Sequence, residues 1–218
     1  MNENEVRRHF EETGALLSGH FKLSSGLHSE RYLQCARVLQ WPARAEALGA
    51  ALAAALAPFS PAAVVSPALG GLIIGHETGR GLKVRAVFAE RVEGAFALRR
   101  GFALGKGERV AVVEDVVTTG KSTREVLDVV GAAGAVPVAA GSIVDRHAFA
   151  VGGIDRRADQ SAGDTVDGVP YRSLLTLDVP AWEPAACPLC ARGVPLAAPG
   201  SRHLAAAVTA RDPDPAPA

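Results

Sequence analysis

Residues 112–123 read VVEDVVTTGKST: an apolar run, two adjacent acids, an apolar pair, then hydroxyls around a glycine. Glu114 and Asp115 are a costly way to end a buried strand, so something must compensate them. The loop from Val116 to Lys121, which enters a helix near Ser122, has the chemistry of an anion site. A helix N-terminus offers free N–H groups and partial positive charge. Thr118, Thr119 and Ser122 add hydroxyls, and Gly120 allows close backbone approach. The carboxylates would repel phosphate, yet they can accept hydrogen bonds from vicinal hydroxyls or help hold a metal. A ribose 5-phosphate asks for both halves at once.

Two other phosphate motifs fail. Gly120-Lys121-Ser122 imitates the end of a P-loop, but the glycine that the pattern needs five residues earlier is Asp115. Gly70, Gly71 and Gly75 do not have G-x-G-x-x-G spacing.

The segment VVEDVVTTGKST resembles the phosphoribosyl-pyrophosphate motif of the type I phosphoribosyltransferases. GALLSGHFKLSSGLHSERYLQ (residues 14–34) and IVDRHAF (residues 143–149) resemble segments of the orotate-specific branch of that family. The resemblance covers residues 14–177. It implies an α/β fold, a parallel sheet flanked by helices with a small N-terminal hood, and a homodimer. The implied reaction moves ribose 5-phosphate from phosphoribosyl pyrophosphate to orotate, with Mg²⁺ held mainly by the sugar's pyrophosphate. It assigns Glu114 and Asp115 to the ribose, residues 116–122 to the 5-phosphate, and Gly70 and Gly71 to the pyrophosphate. Arg91, Arg99 and Arg100 lie where the family has a closing loop, and pyrophosphate binding is expected of at least one. Arg146 suits a planar carboxylate, with Thr118 at the base ring. Ser24 matches a position that is lysine in some relatives, and Lys22, two residues earlier on the same strand face, is a candidate to replace it. A purine-specific transferase and a non-catalytic phosphoribosyl-pyrophosphate sensor are the alternatives. Arg146 and FKLSSGLHS weigh against the first. The second would carry a nucleic-acid-binding region, and no segment looks like one.

The elements that must position these residues follow from pattern. Residues 3–13 form an amphipathic helix, and residues 14–40, rich in Gly and Ser, read as turns and short strands. Residues 42–56 are Ala-rich and helical. Strands are expected at residues 63–66, 84–88, 110–113, 136–144 and 169–177, with a Gly-rich turn opening a helix over 67–81 and a helix at 122–133. Such alternation argues a parallel sheet covered on both faces. Residues 90–107 are an excursion, a hairpin or loop. Its apolar residues Ala95 to Leu98 need a surface to pack on, and a partner subunit is one candidate. The organisation is a hood segment at 1–40, a core at 41–180 and an extension at 181–218. The stretch 210–218, ARDPDPAPA, is expected to be disordered.

Composition bounds the partners. The 218 residues are 48% hydrophobic and 21% charged, with 23 basic and 23 acidic residues. Zero net charge argues against a general nucleic-acid binder. A polar N-terminus and the want of a long apolar run predict a cytoplasmic protein outside the membrane. Cys187-Pro-Leu-Cys190 has the spacing of half a zinc site. Cys35 and His203 are the candidate partners, or a second chain, and a turn with two buried thiols is the alternative. His20, His28 and His147 have no role at this stage.

Overall fold

The central strand of the sheet shows how the chain divides its side chains. Val110 and Val112 face one hydrophobic cluster, with Val126, Leu127 and Val130. Ala111 and Val113 face the other, with Leu48, Leu52 and Ile74. This period of two, apolar on both sides, is what a parallel strand covered by helices requires. The computed structural model describes residues 1–23, 26–147 and 164–198.

Helix α1 (Glu3–Glu12) opens on a capping box between Asn2 and Glu5 and buries Val6 and Phe10. Strands β1 (Leu16–Lys22) and β2 (His28–Leu33) form an antiparallel hairpin. Then come the short helix α2 (Cys35–Leu39), inside a region expected to hold only turns and strands, and α3 (Pro42–Leu56). The core follows with β3 (Ala63–Pro67), α4 (Gly71–Leu82), β4 (Arg85–Val92) and β5 (Ala95–Leu98). It continues with β6 (Arg109–Val117), α5 (Lys121–Ala132) and β7 (Val136–His147), then β8 (Thr165–Val166) and β9 (Val169–Asp178). Strand β10 (Ala181–Trp182) and helix α6 (Pro188–Ala191) lie beyond the core.

The main sheet has the order β5-β4-β3-β6-β7-β9-β8. Strands β4, β3, β6, β7 and β9 run parallel, and β5 and β8 are antiparallel edges. From β3 the chain winds outward to β4. From β6 it winds the other way, to β7 and β9. The order therefore reverses between β3 and β6, and the crevice beyond their carboxyl ends is where such sheets bind ligands.

Three findings revise the sequence reading. Strand β6 runs on through Glu114 and Asp115 to Val117, so the acids lie within the strand rather than after it. Phe96 is buried in the chain's own core, with Leu98 packed beside it, so this apolar stretch needs no partner subunit. The segment after residue 180 joins the hood: β10 pairs with β2, and Ala197 bridges to Phe21 on β1. The expected disordered stretch 210–218 and His203 lie outside the described residues.

Candidate active site

The alternation that sorts the core also sorts the two acids. Glu114 continues the Val110–Val112 side and lies under α5, where its Oε2 accepts a 2.9 Å hydrogen bond from the Thr123 hydroxyl. Asp115 continues the other side and meets the start of α4. A Cβ placed on Gly70 would fall 2.8 Å from Asp115 Oδ1 and 3.0 Å from its Cγ. Glycine at 70 is thus a condition for the carboxylate to lie where it does. The turn 68–70 between β3 and α4 includes a cis peptide at Ala68–Leu69.

Both carboxyl groups are held above their ordinary range. Burial pushes Glu114 up to about 8, the neighbouring Asp115 adds to the shift, and the Thr123 hydroxyl only partly offsets it. Burial also raises Asp115, against the backbone N–H groups of Val116 and of Asp115 itself. The Val116 N–H donates to Oδ1 at 2.9 Å.

The loop after β6 enters α5 as expected. Gly120 caps the helix with φ of 70°, and Thr118 and Lys121 are exposed. The N-termini of α4 and α5 thus flank the crevice, carrying Gly70 and Gly71 on one side and residues 118–122 on the other.

Arg146 comes from β7. In register Val117 lies opposite Asp145, so Arg146 stands level with Thr118, which continues β6. The two residues expected at the base are therefore neighbours across adjacent strands. Arg146 is only 6% exposed. Its Nη2 donates to Ser29 Oγ at 2.9 Å, and its Nε has no hydrogen-bond partner among the described residues. No carboxylate among the described residues pairs with it; burial lowers its pKa, and Tyr32 acts the other way. A buried guanidinium without an anion is an expensive arrangement. Tyr32 of the hood feels both sides of the crevice. Burial raises its phenol pKa, Asp115 raises it further and Arg146 lowers it.

Arg91 forms a 2.6 Å ion pair with Glu125 of α5 and lies over the Phe96 ring at 4.1 Å. Its charge opposes the upward shift of Glu114. Arg99 and Arg100 follow Leu98, which is level with Ala89, so they lie back from the strand ends. Arg100 is paired with Glu90 at 2.8 Å. Within one chain the structure brings Arg91 towards the acids and leaves Arg99 and Arg100 at the base of the hairpin. Lys22 is exposed and lies opposite His28, whereas Ser29 lies opposite Phe21. Lys22 therefore shares the hairpin side of His28 rather than that of Ser29 and Arg146. Ser24 is outside the described residues. Ser29 and Tyr32 are the residues that sequence reasoning missed.

Cys187 and Cys190 are not partnered by Cys35, which is buried in the core with Val38 and Leu39. They face His20 and His28 of the hood hairpin instead.

The raised Glu114 pKa has a stability consequence. Between the ordinary glutamate value and about 8, the folded state holds a proton that the unfolded state has lost, so stability falls as pH rises through that window. Glu114→Gln removes this titration. Denaturant unfolding at pH 5, 6.5 and 8 is expected to show a shallower decline for the variant, and a variant more stable than wild type at pH 8. Parallel profiles would mean that Glu114 ionises at its usual pKa.

No family model matches the chain. The orotate phosphoribosyltransferase of Thermotoga maritima is 47% identical over 199 residues, 91% of this chain and 99% of that one. That of Acidithiobacillus ferrooxidans is 48% identical over 207 residues, 94% of this chain and 100% of the relative. The crystal structure of orotate phosphoribosyltransferase from Aeropyrum pernix matches with a TM-score of 0.58 and 26% identity, over 79% of this chain and 93% of that one. These relatives share nearly their whole length with this chain, which belongs to the orotate phosphoribosyltransferase family.

Proposed function

We propose that this chain transfers a phosphoribosyl group from phosphoribosyl pyrophosphate to the ring nitrogen of orotate, giving orotidine 5′-monophosphate and pyrophosphate. The observation that carries the choice of base is Arg146: a buried guanidinium, level with Thr118, with no carboxylate partner among the described residues. Orotate brings a planar carboxylate that a guanidinium can grip with two hydrogen bonds. A neutral purine would leave the buried charge unpaired.

The remaining assignments follow the geometry. The Thr118–Ser122 loop and the N-terminus of α5 hold the 5-phosphate through hydroxyls and backbone N–H groups. Gly70 and Gly71, opening α4, hold the pyrophosphate, aided by Arg91. Glu114 and Asp115 accept hydrogen bonds from the ribose hydroxyls. In the reaction the bond from C1′ to the pyrophosphate oxygen breaks, and that oxygen keeps the electron pair. The nitrogen of the orotate anion forms the new bond to C1′, so no general base is required. Positive charge grows on the sugar ring as the leaving group departs, and carboxylates beneath it favour that charge. Most of the rate enhancement is then positioning and electrostatics.

The donor set fits Mg²⁺. Two half-buried carboxyl groups at the crevice, Glu114 on loss of its proton, are hard oxygen donors of the kind that hold magnesium alongside substrate phosphates. Asp115 and Glu114 are the side chains that would share it with the pyrophosphate. When bound, the ion supplies charge neutralisation for the departing pyrophosphate. The reading places the enzyme in the cytoplasm, in keeping with the finding that no described helix is long and apolar enough to cross a membrane. It also implies a homodimer, in which Arg99 or Arg100 could act across the interface.

Asp115→Asn keeps the shape and removes the charge. It is expected to fold normally and to lose kcat/KM by two to three orders of magnitude, since a contact of this kind is worth about 3 kcal/mol in the transition state. Near-normal turnover of orotate with phosphoribosyl pyrophosphate and Mg²⁺ would remove Asp115 from the ribose site.

Arg146→Ala is expected to raise the KM for orotate about tenfold to a hundredfold, as for loss of a charged hydrogen bond, with the KM for phosphoribosyl pyrophosphate little changed. Equal losses for both substrates would make Arg146 a structural residue. Parallel assays of the wild-type protein with orotate, uracil, adenine and hypoxanthine test the base itself. Turnover of a purine and none of orotate would overturn the proposal.

A further inference from the structure

The four side chains His20, His28, Cys187 and Cys190 have no part in the chemistry above, yet they converge. One ligand atom from each lies within 4.8 Å of all the others. His20 Nε2 is 3.1 Å from His28 Nδ1, 3.5 Å from Cys187 Sγ and 3.7 Å from Cys190 Sγ. His28 Nδ1 is 3.2 Å from Cys190 Sγ. A zinc ion bound tetrahedrally by two nitrogens and two sulfurs has ligand-to-ligand edges of about 3.4 Å for N–N and about 3.6 Å for N–S, given its usual bond lengths. The observed separations match that figure to within about half an ångström.

The surroundings favour a cation over a chance cluster. His20 Nδ1 lies 2.7 Å from the Val194 carbonyl. That acceptor requires the proton on Nδ1, so Nε2 presents a lone pair to the centre of the cluster. A backbone carbonyl holding the far nitrogen of a histidine is the usual support for a metal ligand. Three polar atoms converging on one lone pair is poor hydrogen bonding, since only one can donate well; it is good coordination. His20 and His28 are 3% and 5% exposed, and both thiols are free. The cysteines are presented by a tight turn. Cys187 precedes α6, the Ala191 N–H donates to the Cys187 carbonyl at 3.2 Å, and the Gly193 N–H donates to the Cys190 carbonyl at 2.9 Å.

We propose that His20, His28, Cys187 and Cys190 form a tetrahedral zinc site that fastens the segment after residue 180 to the hood hairpin. Four protein ligands leave no open position, so the site is structural rather than catalytic. The ion joins the hairpin to a segment that also meets it through β10 and the Ala197 bridge. A small layer of this kind gains most from a metal. The link also reaches the crevice, because Ser29 adjoins His28 on β2 and accepts from Arg146. Zinc loss is therefore expected to raise the KM for orotate more than that for phosphoribosyl pyrophosphate. This kinetic consequence rests on the proposed function; the metal content does not.

The test uses the full chain, purified without chelators, with elemental analysis and cobalt substitution. About one zinc per chain is expected. The cobalt-loaded protein should show the strong visible bands of tetrahedral cobalt together with a thiolate charge-transfer band. His20→Ala and Cys187→Ser should each lose both signals, and Cys35→Ala should keep both. Wild-type protein that lacks stoichiometric zinc and gives no such spectrum with added Co²⁺ would overturn the proposal. So would a Cys187→Ser variant with full metal content. If the variants do not fold, the wild-type cobalt spectrum decides alone.

Discussion

The structure depends on two half-buried carboxyl groups whose surroundings disfavour their charge. Burial raises the pKa of Glu114 and Asp115 alike. The cost is tolerated because β6 ends in a crevice between two helix N-termini, where the peptide dipoles favour negative charge. Protein donors meet part of the demand: Thr123 for one acid and the Val116 N–H for the other. The unmet part is what a sugar's hydroxyls and a divalent cation can supply. In the proposed reading, binding then completes an electrostatic arrangement that the free protein holds unfinished, and affinity and catalysis draw on the same deficit.

The half of the crevice proposed to bind the base is built from a different layer. Arg146 belongs to the main sheet, but its one hydrogen-bond partner among the described residues, Ser29, belongs to the hood. Tyr32, also of the hood, feels the opposing charges of Asp115 and Arg146. Hood and sheet are far apart in sequence and are tied by the chain's last described segment. In the proposed reading, orotate specificity is thus a property of the contact between layers, whereas phosphate binding is a property of strand ends and helix starts within one layer.

This division explains what could be read from the sequence. Local signals located the parallel strands, helices α1, α3, α4 and α5, and the loop 116–122, because β-branched runs, alanine-rich stretches and glycine turns act over a few residues. They stopped β6 at Val113, since charges normally end a strand. Here the strand continues, because its last residues face a ligand crevice and retain β6–β7 pairing. Phe96 differs from expectation for a related reason: an apolar patch in a charged segment does not disclose which surface covers it, and α5 of the same chain does so. His20 and His28 had no signal at all. Their spacing matches no helical ligand motif, and their partners lie more than 150 residues away, brought near by β10, the Ala197 bridge and the contacts around them.

A site holding two acids and a buried arginine risks quenching itself. An Asp115–Arg146 ion pair would satisfy both partners and leave nothing for substrate. Strand register prevents it. Val116 lies opposite Val144, so Arg146 stands three residues beyond the level of Asp115, about 10 Å along the strand. Neither strand can slide to close that gap without turning its apolar side chains to the wrong faces. The same register therefore keeps the charges apart, and in the proposed reading the guanidinium, which no carboxylate among the described residues pairs with, receives the one that arrives with the substrate.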